Sequence, residues 1–507
     1  MIYLKKLQSR QEKFNENSEG SITLFLALTM VLILSFLFSM VEIARVNGLQ
    51  ELAQRKLKFQ MESLFGAYNQ ELWEHYGLLF LDMSYGSGEP DVRLLEGYMM
   101  ESDYAEGEES HFYQMALKDV EVEAYALATD EKGVEFVRQA CEAAKTKLAQ
   151  DGVEQLKSRI GTWQGVEKQS DDLEQKWEDA IEAEKTAESY EVSEVTETPN
   201  SQAESGVVAK TYGESLTENP IEYVAHLKES PVLALVMEEP FELSGKGIDI
   251  ATSLNNRQLS CGNMTTEQIS SVDKMWFIQY LNQYFYCKTN VPTSDHALDY
   301  EMEYCIAGKS TDAQNLEGVV KKLLLFREGA NFITIMQDAQ KKALALEIAT
   351  ALVGFTGIPP LIKAVETGIL LAWCYVESIM DLRSLLAGGK VPLIKESSDW
   401  KSDLSHIGER STKSEDEREE KGLSYQEYLQ ILLYFVEQEQ LTYRAMDVVE
   451  RNIRLFSGNE AVSMDAMVSA VQVNATYSAN PLFLNVIPME AKINGSYFFK
   501  KIQKFSY

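Results

Sequence analysis

The chain has 507 residues, 45% of them apolar, which is enough for two or three domains with sizeable cores. Its 47 basic residues face 78 acidic ones, a net charge of −31, and that balance excludes the basic, phosphate-binding surface a nucleic-acid partner requires. It also argues against docking on anionic lipid through charge.

In chain order, residues 1–20 read as a short polar leader on the cytoplasmic side. Residues Ile22 to Val41 follow, twenty positions without a charge. A helix of that length spans about 30 Å, the hydrocarbon thickness of a bilayer. Only Thr23, Thr29, Ser35 and Ser39 interrupt the run, whereas a soluble helix carries a polar stripe. The run exceeds a secretory h-region and is expected to be an uncleaved membrane anchor, with the lipid bilayer as partner. Lys5, Lys6, Arg10 and Lys13 precede it; Arg45, Arg55 and Lys56 follow. That distribution favours a cytoplasmic N-terminus with the rest of the chain outside.

The helical pattern continues beyond the span through Val46, Leu49, Ala53, Leu57, Leu64, Phe65, Tyr68 and Leu72, so one helix is expected over 21–75. Residues 76–183 are expected to hold a strand and a long helical arm. The strand is 117–127, where Val120, Val122 and Ala124 alternate with charged residues. The arm follows from Val134, Val137, Cys141, Ala144 and Leu148, then Leu156, Ile160 and Trp163, then Leu173, Trp177 and Ile181. It reads either as a coiled-coil hairpin or as helices folded on their own domain. Residues 184–219 are acidic and poor in large apolar side chains, an expected disordered linker.

Residues 220–507 are expected to form the main α+β ectodomain. A strand is expected at 299–306 from the alternation of Tyr300, Met302, Tyr304 and Ile306. Thr311 with Gln314 reads as a capping box opening a helix, followed by a helix over 338–353. Gly354, Gly357, Pro359 and Pro360 separate that helix from another ending at Gly388-Gly389. Its apolar run Ile369–Val376 is too short to cross a membrane and reads as core. A charged loop is expected over 395–422, then helices 425–438, capped by Ser424 with Glu427, and 441–456. Strands 465–478 and 490–500 should join 117–127 and 299–306 in one antiparallel sheet. The fold class is therefore an α+β ectodomain, an antiparallel sheet with packed helices and a long helical or coiled-coil arm, on a single N-terminal transmembrane helix.

Chemistry-bearing motifs are missing. Gly308-Lys309-Ser310 follows an expected strand and precedes a helix as a P-loop does, but Glu303 stands where that loop needs glycine. No HExxH or GxSxG occurs, and His75, His111, His226, His296 and His406 are scattered. The cysteines Cys141, Cys261, Cys287, Cys305 and Cys374 form no CxxC or Cys/His cluster; a Cys287–Cys305 bridge is the one pairing worth naming. No catalytic, cofactor-binding or metal-binding residue is assigned, and no cofactor is expected. Asn263, Asn474 and Asn494 fit the glycosylation pattern, which arises at random in a chain this long.

Two resemblances add to this. The leader ending in Gly20, with Ser21 opening an apolar helix that turns amphipathic, resembles type IV pilins and TadE-like pseudopilins. The resemblance implies prepilin-peptidase processing between Gly20 and Ser21, although Phe25 stands at the fifth mature position where those families usually carry Glu. Further stretches resemble a Firmicutes membrane-protein family of unknown function associated with tight-adherence (Tad/Flp) pilus loci. They are Gly20–Thr23, Tyr76–Asp82 YGLLFLD, Arg327–Phe332 REGANF, Gly357–Leu361 GIPPL, Gly388–Lys395 GGKVPLIK and Gly422–Leu429 GLSYQEYL. That resemblance implies a non-enzymatic pilin-like or accessory role, with other pilin-like or Tad pilus proteins as partners. The alternatives are a cell-surface enzyme and a ligand-binding ectodomain.

Overall fold

The computed structural model describes residues 2–104, 111–147, 151–194, 219–237, 243–264, 270–404, 421–483, 492–493 and 495–507. Helix α1 (Ile2–Phe65) is unbroken for 64 residues. It runs through residues 2–20 of the expected leader with no break at Gly20. It also stops ten residues before the expected end. Gly66 and Ala67 turn the chain, and Asn69 accepts from the Leu72 amide to start α2 (Gln70–Tyr76). The expected apolar stripe is buried at Val46, Leu49, Ala53, Leu57, Leu64 and Phe65, while Tyr68, in the turn, is half-buried.

The following elements are β1 (Leu81–Asp82), α3 (Val92–Tyr104), β2 (Ala116–Leu127), α4 (Asp130–Lys147), α5 (Asp151–Gln169) and α6 (Leu173–Glu194). Next come α7 (Pro220–Glu229), α8 (Val232–Val236), α9 (Ser271–Tyr284), α10 (Glu301–Ala307), α11 (Asp312–Ile335), α12 (Ala339–Val353) and α13 (Pro359–Leu386). The chain continues with β3 (Lys390–Val391), β4 (Leu423–Ser424), α14 (Tyr425–Phe435), α15 (Gln438–Ile453), β5 (Met467–Ala479), β6 (Lys492–Ile493) and β7 (Ser496–Ser506).

Two cores divide the molecule. The smaller lies between the sheet and the helices α1 and α3. Strand β5 is its centre, antiparallel to β2 on one edge (Val471 opposite Tyr125) and to β7 on the other (Val471 opposite Phe505). The expected strands 117–127 and 465–478 are present as β2 and β5, while 490–500 is split at Gly495 into β6 and β7, which pair with each other, and β7 runs on to Ser506. The fourth, 299–306, is wrong: α10 is a short helix whose residues Glu301–Ile306 are all buried. The alternation misleads because Glu301 and Glu303, taken for a solvent face, are inside with hydrogen-bond partners.

The larger core is helical and centred on α13. Ile369–Val376 is buried throughout, so this helix has no polar stripe in its middle. Pro359 lies in its first turn and Gly357 precedes it at φ 65°, a conformation that favours glycine. Helices α4, α5 and α6 are laid against α9, α11 and α13, with Trp163 of α5 stacked on Phe326 of α11 at 3.5 Å. The arm is thus folded on its own domain, and among the described residues a projecting coiled coil is not seen. Helix α6 extends to Glu194, into the expected linker; 195–218 lies outside the described residues, as does 405–420 of the expected charged loop 395–422. The Ser424–Glu427 capping box opens α14 as expected, whereas Thr311 caps α11 alone because the Gln314 side chain turns to the Ser310 hydroxyl.

Candidate functional site

Among the described residues, α1 is the one helix long and apolar enough to cross a membrane, with a mean hydropathy of 2.6 over its most apolar 18-residue window, none of which is buried. Three hydroxyls of the span are satisfied within the helix. Thr29 donates to the carbonyls of Phe25 and Leu26, Ser35 to that of Leu32 and Ser39 to that of Ser35. A surface that is bare, apolar and internally hydrogen-bonded is what a bilayer interior tolerates.

The exposure reverses at one point. Val41 is exposed, yet Glu42 and Arg45 are 0% and 1% exposed. Their side chains pair at 3.1 Å, and the Arg45 guanidinium also donates to the carbonyls of Phe112 and Asn480. The Leu482 amide donates weakly to Glu42 at 3.4 Å. An unpaired charge at this depth would cost several kcal/mol, about as much as a small domain can spare; here each charge has a partner. The pair therefore gathers two loops, 111–113 and 480–483, around α1 at one level. The rings follow: Phe483 stacks on Phe38 at 5.6 Å, and Phe112 lies 6.3 Å from Phe483 and 4.8 Å from Tyr113. Gly48 leaves room for Tyr113, whose Cε1 is 2.6 Å from where a Cβ would sit.

Gly20 and Ser21, the expected processing residues, lie inside continuous helix. The Ile22–Val41 span and the boundary pair are adjacent, and only the span was legible beforehand. Glu42 and Arg45 sit three apart on the face of Val46 and Leu49, and that spacing was the available signal. Nothing local announced Leu482 or Phe483.

Elsewhere the charges build structure. Arg327 donates to Asp381 at 2.9 Å, and Lys395 pairs with Glu377 at 2.6 Å and Asp381 at 2.5 Å, all four buried. Arg327 also holds the carbonyls of Pro392 and Leu393, and Glu377 accepts from Ser402. Burial alone would raise the Asp381 pKa, but Arg327 and Lys395 hold it below the ordinary range. Two cations and two anions thus fasten segment 390–402 onto α11 and α13. This explains Arg327 of REGANF and Lys395 of GGKVPLIK as parts of one lock, whereas Glu328 pairs with Lys228 and Lys390 is exposed. A second junction joins YGLLFLD to the helical body. Asn452 donates to the Tyr76 hydroxyl at 2.8 Å and to Glu301 at 2.6 Å, and Glu301 meets His296 at 2.8 Å.

The P-loop resemblance dissolves. Gly308 is the left-handed C-cap of α10, so a helix end precedes Lys309 where a strand was expected. Glu303 accepts from the Lys288 amide at 2.9 Å and the Tyr425 hydroxyl at 3.0 Å, and burial pushes its pKa up to about 7. All five cysteines are free thiols, so the Cys287–Cys305 bridge is not formed; burial pushes Cys287 up to about 12. Among the described residues no group of three or more His, Cys, Asp or Glu side chains is placed to hold a metal ion. A groove of about 690 Å³ runs between the α5–α6 turn, α11, α14 and α15, with Lys322, Arg444, Glu174 and Glu437 in its lining.

The model of a protein family of unknown function, DUF5702, matches residues 210–479. The matched region contains REGANF, GIPPL, GGKVPLIK and GLSYQEYL, but neither the apolar span nor YGLLFLD. The comparisons with curated proteins and with solved structures each found no match.

Proposed function

This chain belongs to DUF5702, a family of unknown function, and we propose that it is a single-pass, membrane-anchored extracytoplasmic protein acting as a non-enzymatic component of a tight-adherence pilus or secretion system. The observation that carries the anchor is the bare apolar stretch Ile22–Val41, whose own continuation becomes a wall of the smaller core. A helix that is half lipid-facing and half built into a folded body is the geometry of a pilin-like subunit. The orientation follows from the weak excess of basic residues before the span. The pilus association rests on the Gly20–Ser21 leader pattern and the matching stretches named above. A non-catalytic role is supported by the buried charges just described, which are spent on fastening segments together. The amphipathic groove at Lys322 and Arg444 favours a second reading, a ligand-binding ectodomain.

The test is the N-terminal sequence of the protein extracted from membranes. A mature chain starting at Ser21, with Gly20→Leu blocking the cut, is the expected outcome. An intact Met1 would leave a plain anchor and remove filament incorporation.

A further inference from the structure

The helix-to-domain junction carries more than a tether. We propose that the loops 111–113 and 480–483 form an apolar collar that sits in the membrane interface, so that the folded body is seated on the bilayer. This rests on the reading of α1 as a membrane span.

Three observations support it. First, Leu482, Phe483 and Tyr113 are 49%, 41% and 39% exposed although they are large and apolar or aromatic. Second, they are continuous with the span: Phe483 stacks on Phe38, which is itself 42% exposed and lies three residues before Val41. Third, the level is set by a device that suits a dielectric boundary. Arg45 pins both loops through their carbonyls while its charge and that of Glu42 stay inside the protein, so neither faces hydrocarbon. Aromatic side chains favour this depth because the ring is apolar and the headgroup region accepts polar edges. Interfacial apolar groups sit about 5–10 Å into the headgroup and acyl boundary. The net charge of −31 repels anionic headgroups, so the contact has to be made by apolar insertion. The occupant of the patch is therefore lipid.

The experiment uses the full chain in phosphatidylcholine nanodiscs whose acyl chains are brominated either near the headgroup or near the bilayer centre. Bromine quenches tryptophan within its reach. The six native tryptophans, the first of them Trp73, provide a background to subtract. Two single variants, Phe36→Trp and Phe483→Trp, are compared with the parent. The expected result is loss of the added F36W emission with deep bromine and of the added F483W emission with shallow bromine. An unquenched F483W alongside a quenched F36W overturns the collar and leaves the anchor standing. If F483W is unquenched yet blue-shifted, the patch packs on protein and the lipid assignment is likewise overturned. An unquenched F36W overturns the anchor reading and the collar with it. Phe483 is partly exposed, so the substitution leaves the fold intact; an unchanged circular dichroism spectrum confirms that before quenching is read.

Discussion

Glu303 is a carboxylate with no cation among its hydrogen-bond partners. One oxygen accepts two hydrogen bonds, the other has no partner among the described residues, and burial raises its pKa from 4.5 to about 7. Between those values the folded protein keeps a proton that the unfolded chain has lost. Stability therefore falls as pH rises from about 4.5 to about 7 and is level above it. The full span is worth about 3 kcal/mol. Glu303→Gln should abolish this slope: urea midpoints should match the parent near pH 4 and exceed it at pH 8. Asp381 is as deeply buried and behaves in the opposite way, because Arg327 and Lys395 stand beside it. Residue identity does not separate the two. Both are acids in apolar surroundings along the chain, and the cation that decides the matter reaches Asp381 from 54 residues away.

At the scale of elements, the close approach of α13 to α6 is the contact that turns the expected arm into part of the body. It depends on Gly368, where an added Cβ would lie 2.5 Å from the Ala180 Cβ and 2.9 Å from the Ile221 Cδ1. Gly368→Leu should force α6 and α7 outward and cost about 1–3 kcal/mol. Gly97→Leu on α3, where a Cβ would meet nothing, should be neutral within about 0.5 kcal/mol or gain slightly from helix propensity. Thermal melts compare the two, and limited proteolysis within 173–194 should quicken only in the first. Most helices were legible from apolar spacing, with ends set by Ser424, Gly357 and Pro359, since caps and breakers act within a turn or two of chain; the break at Asn69 was not read. The failure at 299–306 has the same origin. Over eight residues a buried helix with two internal carboxylates and a half-exposed strand look alike, and only the packing around α10 separates them.

At the scale of the whole molecule, α1 belongs to two environments. Residues 22–41 face outward, while 42–65 close the smaller core against β5, β7 and α3. A chain begun at Ser39 should therefore fold and elute as a single species without detergent in size-exclusion chromatography. A chain begun at Gly66 loses that wall, leaves the inner face of the sheet bare and should aggregate. The amino-acid sequence by itself determined the bare span, the acidic solvent surface, most helices and three of the strands. These follow from hydropathy, charge and capping, which are summed over neighbouring residues and need no knowledge of the fold. Only the tertiary structure decided which charges are buried and what neutralises them. Arg45 meets the Asn480 carbonyl across 435 residues. Whether such a buried charge stabilises or ruins a fold depends on a few ångströms of geometry, which no local pattern encodes.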